Sequence, residues 1–86
     1  KQLVGVSEDN IIVETIKPCE DCERAFIVRM YEAEGTYTRS RVSFFEGARK
    51  VAVTNMLEEE QEVIENLDDV ILSFRPFEIK TLKVTY

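Results

Sequence analysis

Histidine and tryptophan are both absent from this 86-residue chain. Without histidine there is no Ser-His-Asp or Cys-His catalysis, and the commonest metal ligand is missing. Without tryptophan the usual flat ring for stacking a sugar is missing as well. Glycine occurs three times, singly, at positions 5, 35 and 47. That excludes a P-loop and a dinucleotide fingerprint, both of which need clustered glycines to bring backbone N–H groups up to phosphate. No apolar run approaches the roughly 18–20 residues that span a bilayer, and the stretch Lys1–Val6 has no signal-peptide core. Positive charge is scarce and scattered: 11 Lys and Arg stand against 17 Asp and Glu, for a net charge of −6. Nucleic acid and anionic membrane surfaces are therefore not expected partners, because both require clustered basic residues.

What is present suits a small folded domain. The chain is 44% apolar, ordinary for a globular protein, and long enough for one core but not for a deep pocket with a rigid surround. Neither a linker nor an internal repeat divides it, so residues 1–86 are read as a single domain. It begins at Lys1 without Met, which is read as the mark of a fragment.

The two cysteines stand in Pro18-Cys-Glu-Asp-Cys22. A zinc ribbon needs a second such pair. A thioredoxin-type site places the pair at a helix start, whereas the flanking Glu20, Asp21 and Glu23 raise a thiol pKa instead of lowering it. The expected reading is two loop thiols without a role, in keeping with a cytoplasmic location. A surface disulfide and half of an intermolecular metal site are the alternatives.

The apolar pattern is that of short strands. In Asn10–Ile16, Ile11 and Val13 point one way and Ile12 and Ile16 the other. Arg24–Ala33 is the central strand, with Phe26, Val28 and Met30 on one face and Ile27, Arg29 and Tyr31 on the other, so both faces are expected to be covered. Turns at Glu34-Gly35 and Glu46–Ala48 bracket a strand with Thr38, Ser40, Val42 and Phe44 inward. Val51 and Val53 mark another. The segment Leu57–Leu67 fits a helical stripe, but an edge strand at Glu62–Glu65 followed by a hairpin turn at Asn66–Asp69 agrees better with its neighbours. Val70, Leu72 and Phe74 alternate. Pro76 interrupts, and the inward parity then changes from Phe77 and Ile79 to Leu82, Val84 and Tyr86, which calls for a bulge or corner near Thr81. About seven short strands with turns between them give an all-β fold, a small antiparallel β-sandwich of the immunoglobulin-like kind.

Few constellations suggest chemistry. The acids concentrate in Glu58–Asp69, a segment without a basic residue, and read as a solvated face and not as the acid/base pair of a glycosidase, which needs a pocket that raises one pKa. Asp21, Asp68 and Asp69 lack the spacing of a calcium loop. Tyr31, Tyr37 and Tyr86, with Phe44, Phe45 and Phe77 behind them, are the aromatics available to a sugar, but rings in strands are more often core or cross-strand pairs. Arg29, Tyr31 and Glu32, and again Arg75, Glu78 and Lys80, put charge beside bulky apolar residues. Such charges need partners, either in a network within the domain or across a contact with another domain.

The stretches Glu14-Thr-Ile-Lys-Pro18, Ile27–Gly35, Asn55-Met-Leu-Glu58 and Arg75–Lys83, in this order and spacing, resemble the closing domain of glycoside hydrolase family 38 α-mannosidases. The resemblance spans roughly residues 10 to 86. It implies a C-terminal β-sandwich domain of a large, zinc-dependent, retaining enzyme whose zinc, bound by His and Asp, and Asp nucleophile lie in an N-terminal barrel. No catalytic, cofactor-binding or metal-binding residue carries over to this chain. The Cys pair departs from that family's pattern. The expected role is support: packing against other domains of the same polypeptide, with no hydrolysis by this chain itself and no metal of its own; homo-oligomerisation of the parent is left open. An independent sugar-binding or adhesion sandwich is the rival, and a stand-alone hydrolase the third reading.

Overall fold

Alternation of apolar and polar side chains sets the chain into strands, and the six or fewer residues between consecutive strands leave no space for a crossover helix. The computed structural model describes residues 4–19, 24–44, 47–54, 60–64, 67 and 70–86. Among the described residues eight strands run in order: β1 (Val4–Val6), β2 (Ile11–Pro18), β3 (Ala25–Glu32), β4 (Thr38–Phe44), β5 (Lys50–Thr54), β6 (Glu60–Ile64), β7 (Val70–Phe74) and β8 (Ile79–Thr85). They form two antiparallel sheets, one ordered β1-β4-β7 and the other β2-β3-β8-β5-β6. The expected all-β sandwich is the observed one. Among the described residues no helix is long and apolar enough to cross a membrane.

One core lies between the sheets. Val4, Val42, Val70, Leu72 and Phe74 enter from the smaller sheet, and Ile11, Val28, Met30, Val51, Leu82 and Val84 from the larger. Each set follows the period of two along its strands, the requirement for sheets packed face to face. A satellite cluster of Cys19, Ala25 and Ile27 covers part of the other face of β3. The central strand is thus buried on both sides around Ile27, as its sequence suggests, while Arg29 and Tyr31 are only half-buried.

Several local expectations are corrected. β1 escapes a sequence reading because it is three residues long with Gly5 at its centre, and its pairing with Phe44, Ser43 and Val42 is wholly long-range. The segment beginning at Glu60 is a strand, but β6 and β7 lie in different sheets, so the expected hairpin at Asn66–Asp69 is a crossing between sheets. Asn66, Asp68 and Asp69 themselves lie outside the described residues. β8 needs no parity change near Thr81: its pairings with β3 and β5 run without interruption there. Phe77 and Ile79 simply point to solvent, 65% and 57% exposed. The irregularities fall elsewhere, between Val13 and Thr15 and between Val53 and Thr54. The first leaves Glu14 unpaired and sets Ile16 opposite buried Val28, so Ile16 does not share a face with Ile12.

Candidate functional site

Only β2–β3 and β5–β6 join neighbours within a sheet; every other connection crosses from one sheet to the other. Three of the crossings, β1 to β2, β3 to β4 and β7 to β8, meet at one end of the sandwich, and Glu32 sits among them. Its parity on β3 is that of Val28 and Met30, so its side chain points inward, with none of its surface exposed. Through Oε2 it accepts from Asn10 Nδ2 at 2.7 Å and from the Glu34 N–H at 2.9 Å. Through Oε1 it accepts from the backbone N–H groups of Gly35 at 2.6 Å, Phe77 at 3.0 Å and Thr36 at 3.1 Å. Asn10 also donates to Thr38 Oγ1 at 2.7 Å, and Thr38 passes its own proton to the Thr36 carbonyl. All three crossings are therefore tied to one carboxylate.

Its electrostatics follow from those contacts. Burial works against ionisation of Glu32, but the N–H of Phe77, the Asn10 amide and the N–H groups of Glu34 and Gly35 outweigh it and hold the pKa down, from an ordinary 4.5 to about 2. A general acid requires the opposite: a raised pKa and access to substrate. Glu32 is ionised, saturated with donors and closed to solvent, so it is a structural clasp.

The β7–β8 connection is a tight turn. The Glu78 N–H donates to the Arg75 carbonyl at 2.9 Å; Pro76 occupies the first central position and Phe77 the second, with φ of 61°. A type II turn asks for φ > 0 there and favours glycine. Phe77 is held in this conformation by its N–H bond to Glu32 and by its ring, which lies over Gly35. Glu78 accepts from the Arg75 N–H at 2.8 Å and pairs with Lys80 at 3.4 Å. Burial pushes the Glu78 pKa up, but the Arg75 N–H and the charges of Lys80 and Arg75 pull it below its ordinary value. Lys80 also places its ammonium 5.6 Å from the Phe74 ring centroid.

The charged residues singled out in the sequence thus divide. Glu32, Glu78 and Lys80 join networks within the domain, and the Arg75 side chain, though 81% exposed, reaches the same Glu78 at 3.9 Å. What the sequence did not distinguish is that Glu32 lies on the inward parity, two residues past Met30, and so had to be satisfied internally.

The tyrosines among the described residues lie apart from one another. Tyr86 stacks on Phe26 at 5.3 Å, with the Arg24 guanidinium 5.9 Å from its ring, beside the first residues of β3. Tyr31 stands near the other end of that strand, roughly 20 Å away at about 3.3 Å per residue. Phe44 packs against the core as expected. Tyr37, Phe77 and Tyr86 do not; they are 57%, 65% and 36% exposed. Phe45 lies outside the described residues, as do the acidic residues Asp21, Glu58, Glu59, Asp68 and Asp69.

Cys19 corrects the thiol reading. It is disulfide-bonded and buried against Ala25 and Ile27, its N–H donating to the Ala25 carbonyl at 2.9 Å. The chain's other cysteine, Cys22, is outside the described residues. Acidic neighbours disfavour a reactive thiolate, but they do not prevent a bond made while the protein folds. The cytoplasmic expectation was read from reduced thiols and loses that footing.

The outer face of the larger sheet carries an exposed apolar row. Ile12, Tyr31 and Ile79 are consecutive partners across β2, β3 and β8, with Phe77 two residues before Ile79. Among the described residues no group of three or more His, Cys, Asp or Glu is placed to hold a metal ion.

Against known families, residues 10–82 match the model described as glycosyl hydrolases family 38 C-terminal beta sandwich domain. A comparison with curated proteins found no match.

Proposed function

The chain belongs to the family of glycosyl hydrolase family 38 C-terminal β-sandwich domains, and from that membership we propose that it is a non-catalytic part of an α-mannosidase, packed against the other domains of the same polypeptide and holding their geometry. The observation that carries this reading is the row Ile12–Tyr31–Ile79, in which exposed Ile12 and Ile79 flank half-buried Tyr31 on the outer face of a sheet whose own core is already complete. Contiguous exposed apolar surface of this kind marks a contact with a neighbour. Support matters in such an enzyme because small displacements of catalytic groups are costly to rate. The hydrolysis of α-mannosidic bonds, and the zinc it uses, belong to the parent's catalytic domain. This chain has no His, and among the described residues no group of three or more Cys, Asp or Glu is placed to hold a metal; the proposed role routes no catalytic step through it.

The test is Ile79→Lys in the parent polypeptide and in the 86-residue chain. The side chain is exposed, so the substitution is expected to change the stability of the isolated chain by no more than about 0.5 kcal/mol. In the parent it buries a charge at the domain contact and is expected to lower both thermal inactivation temperature and activity. A parent indifferent to Ile79→Lys removes the proposed contact, and hydrolysis of an aryl α-mannoside by the isolated chain with zinc removes the non-catalytic reading. The rival sugar-binding reading predicts amide shifts on titration with mannosides.

A further inference from the structure

Four strands lie at sheet edges: β1, β7, β2 and β6. Exposed edges invite pairing with another chain, and natural proteins blunt them with charge, proline, bulges or shortness. β1 has three residues; β2 has its bulge after Val13, then Lys17 and Pro18; β6 reads Glu-Gln-Glu at its start. β7, Val-Ile-Leu-Ser-Phe, has none of these devices, and its register with β4 is unbroken from Val70 to Phe74.

The direction of its backbone groups can be worked out. Arg41 of β4 accepts from the Ser7 N–H at 3.0 Å, and its own N–H donates to Ser7 Oγ at 2.9 Å. Both groups therefore point away from β7, which makes Arg41–Ile71 a non-hydrogen-bonded pair. Antiparallel ladders alternate. Val70, Leu72 and Phe74 then bond to β4, and the N–H and C=O groups of Ile71 and Ser73 face the open side, with no partner among the described residues.

The outer face beside this edge is basic. The outward side chains of its three strands are Gly5, Arg39, Arg41, Ser43, Ile71 and Ser73, with no carboxylate among them in a chain of net charge −6. Ser7, Arg39, Arg41 and Ile71 line a shallow open depression there; the Glu8 carboxylate accepts from Ser7 Oγ at 3.2 Å on its β1 side, away from the β7 edge. We propose that the free edge of β7 receives an extended polypeptide segment as a fourth strand of the smaller sheet, the segment presenting carboxylates toward Arg39, which stands opposite Ser73 on the neighbouring strand. Main-chain bonds at Ile71 and Ser73 supply attachment, and the Arg39 charge selects an acidic strand. A second copy is the poorer occupant, because two chains of net charge −6 repel and pairing β7 with itself brings two arginine faces side by side.

The probe is a capped peptide of alternating valine and glutamate, titrated into the 15N-labelled chain, with alternating valine and lysine as control. The acidic peptide is expected to shift the amides of Ile71 and Ser73 and to bind more tightly than the control. Ser73→Pro removes an outward N–H without touching the β4 ladder, and is expected to weaken binding about tenfold. Arg39→Glu, on an exposed side chain, is expected to weaken it about three- to fivefold; it serves as the decisive variant if Ser73→Pro does not fold. Absence of binding, shifts confined to other edges, equal affinity for both peptides, or concentration-dependent dimerisation through β7 each overturn the proposal. The parent's activity enters none of these measurements, so their failure leaves the family-based role standing.

Discussion

Glu32→Gln is expected to lower the thermal midpoint of the chain by more than about 10 °C, the scale on which a small domain responds to a defect of several bonds. Glutamine keeps the shape of the side chain but replaces one acceptor oxygen with an NH2 group. The five donors converging from Asn10, Glu34, Gly35, Thr36 and Phe77 then face one oxygen and a competing donor. Buried donors left without acceptors carry their full desolvation penalty. Because those donors belong to three crossings between the sheets, the loss is expected to be global. A thermal melt of Glu32→Gln beside the native chain, followed by circular dichroism, checks it; a change of only a degree or two contradicts the clasp.

The same carboxylate sets an acid limit. Its pKa falls from an ordinary 4.5 to about 2 on folding, so the unfolded chain binds the proton more readily. The stabilisation is fully present above pH 4.5 and is lost as pH falls from there through about 2. Glu78 is displaced in the same direction and adds to the slope. Urea midpoints measured across this window are expected to fall steeply for the native chain and less steeply for Glu32→Gln. Parallel slopes contradict an ionised Glu32.

The sandwich was legible because alternation is a local property: Thr38, Ser40, Val42 and Phe44 declare their face within seven residues of sequence. Sheet membership is not local. The turn at Glu34-Gly35 and the interruption at Pro76 carry no mark of which sheet comes next, and both are crossings between sheets, because what decides this is which distant strand lies beside β4 or β8. The bulge at Glu14 was hidden for a similar reason, since only the pairing with β3 shows that one residue is unmatched. Glu32 was recognisable as a charge in need of partners. Its donors were not, since four of the five are backbone N–H groups, which carry no residue signature.

Gly35→Val is expected to destabilise the chain by about 3 kcal/mol, from two separable causes. Gly35 has φ of 80°, a conformation that β-branched residues adopt at high cost. A Cβ built on it would also meet the Phe77 ring at 2.8 Å. The ring is largely exposed and can swing aside, but doing so gives up its cover over Gly35 and loosens the turn whose N–H reaches Glu32. The backbone cost has no such escape. A double-mutant cycle distinguishes the two. Gly35→Ala, with the same Cβ but no branching, is expected to cost about 2 kcal/mol in the native chain and about 1 kcal/mol in a Phe77→Ala background, where only the φ penalty remains. Equal costs in the two backgrounds would mean that Phe77 does not rest on Gly35. A cost near zero in both would mean that the β3–β4 crossing is free to change its backbone, and Glu32 would then have no fixed pair of N–H groups at Gly35 and Thr36 to bind.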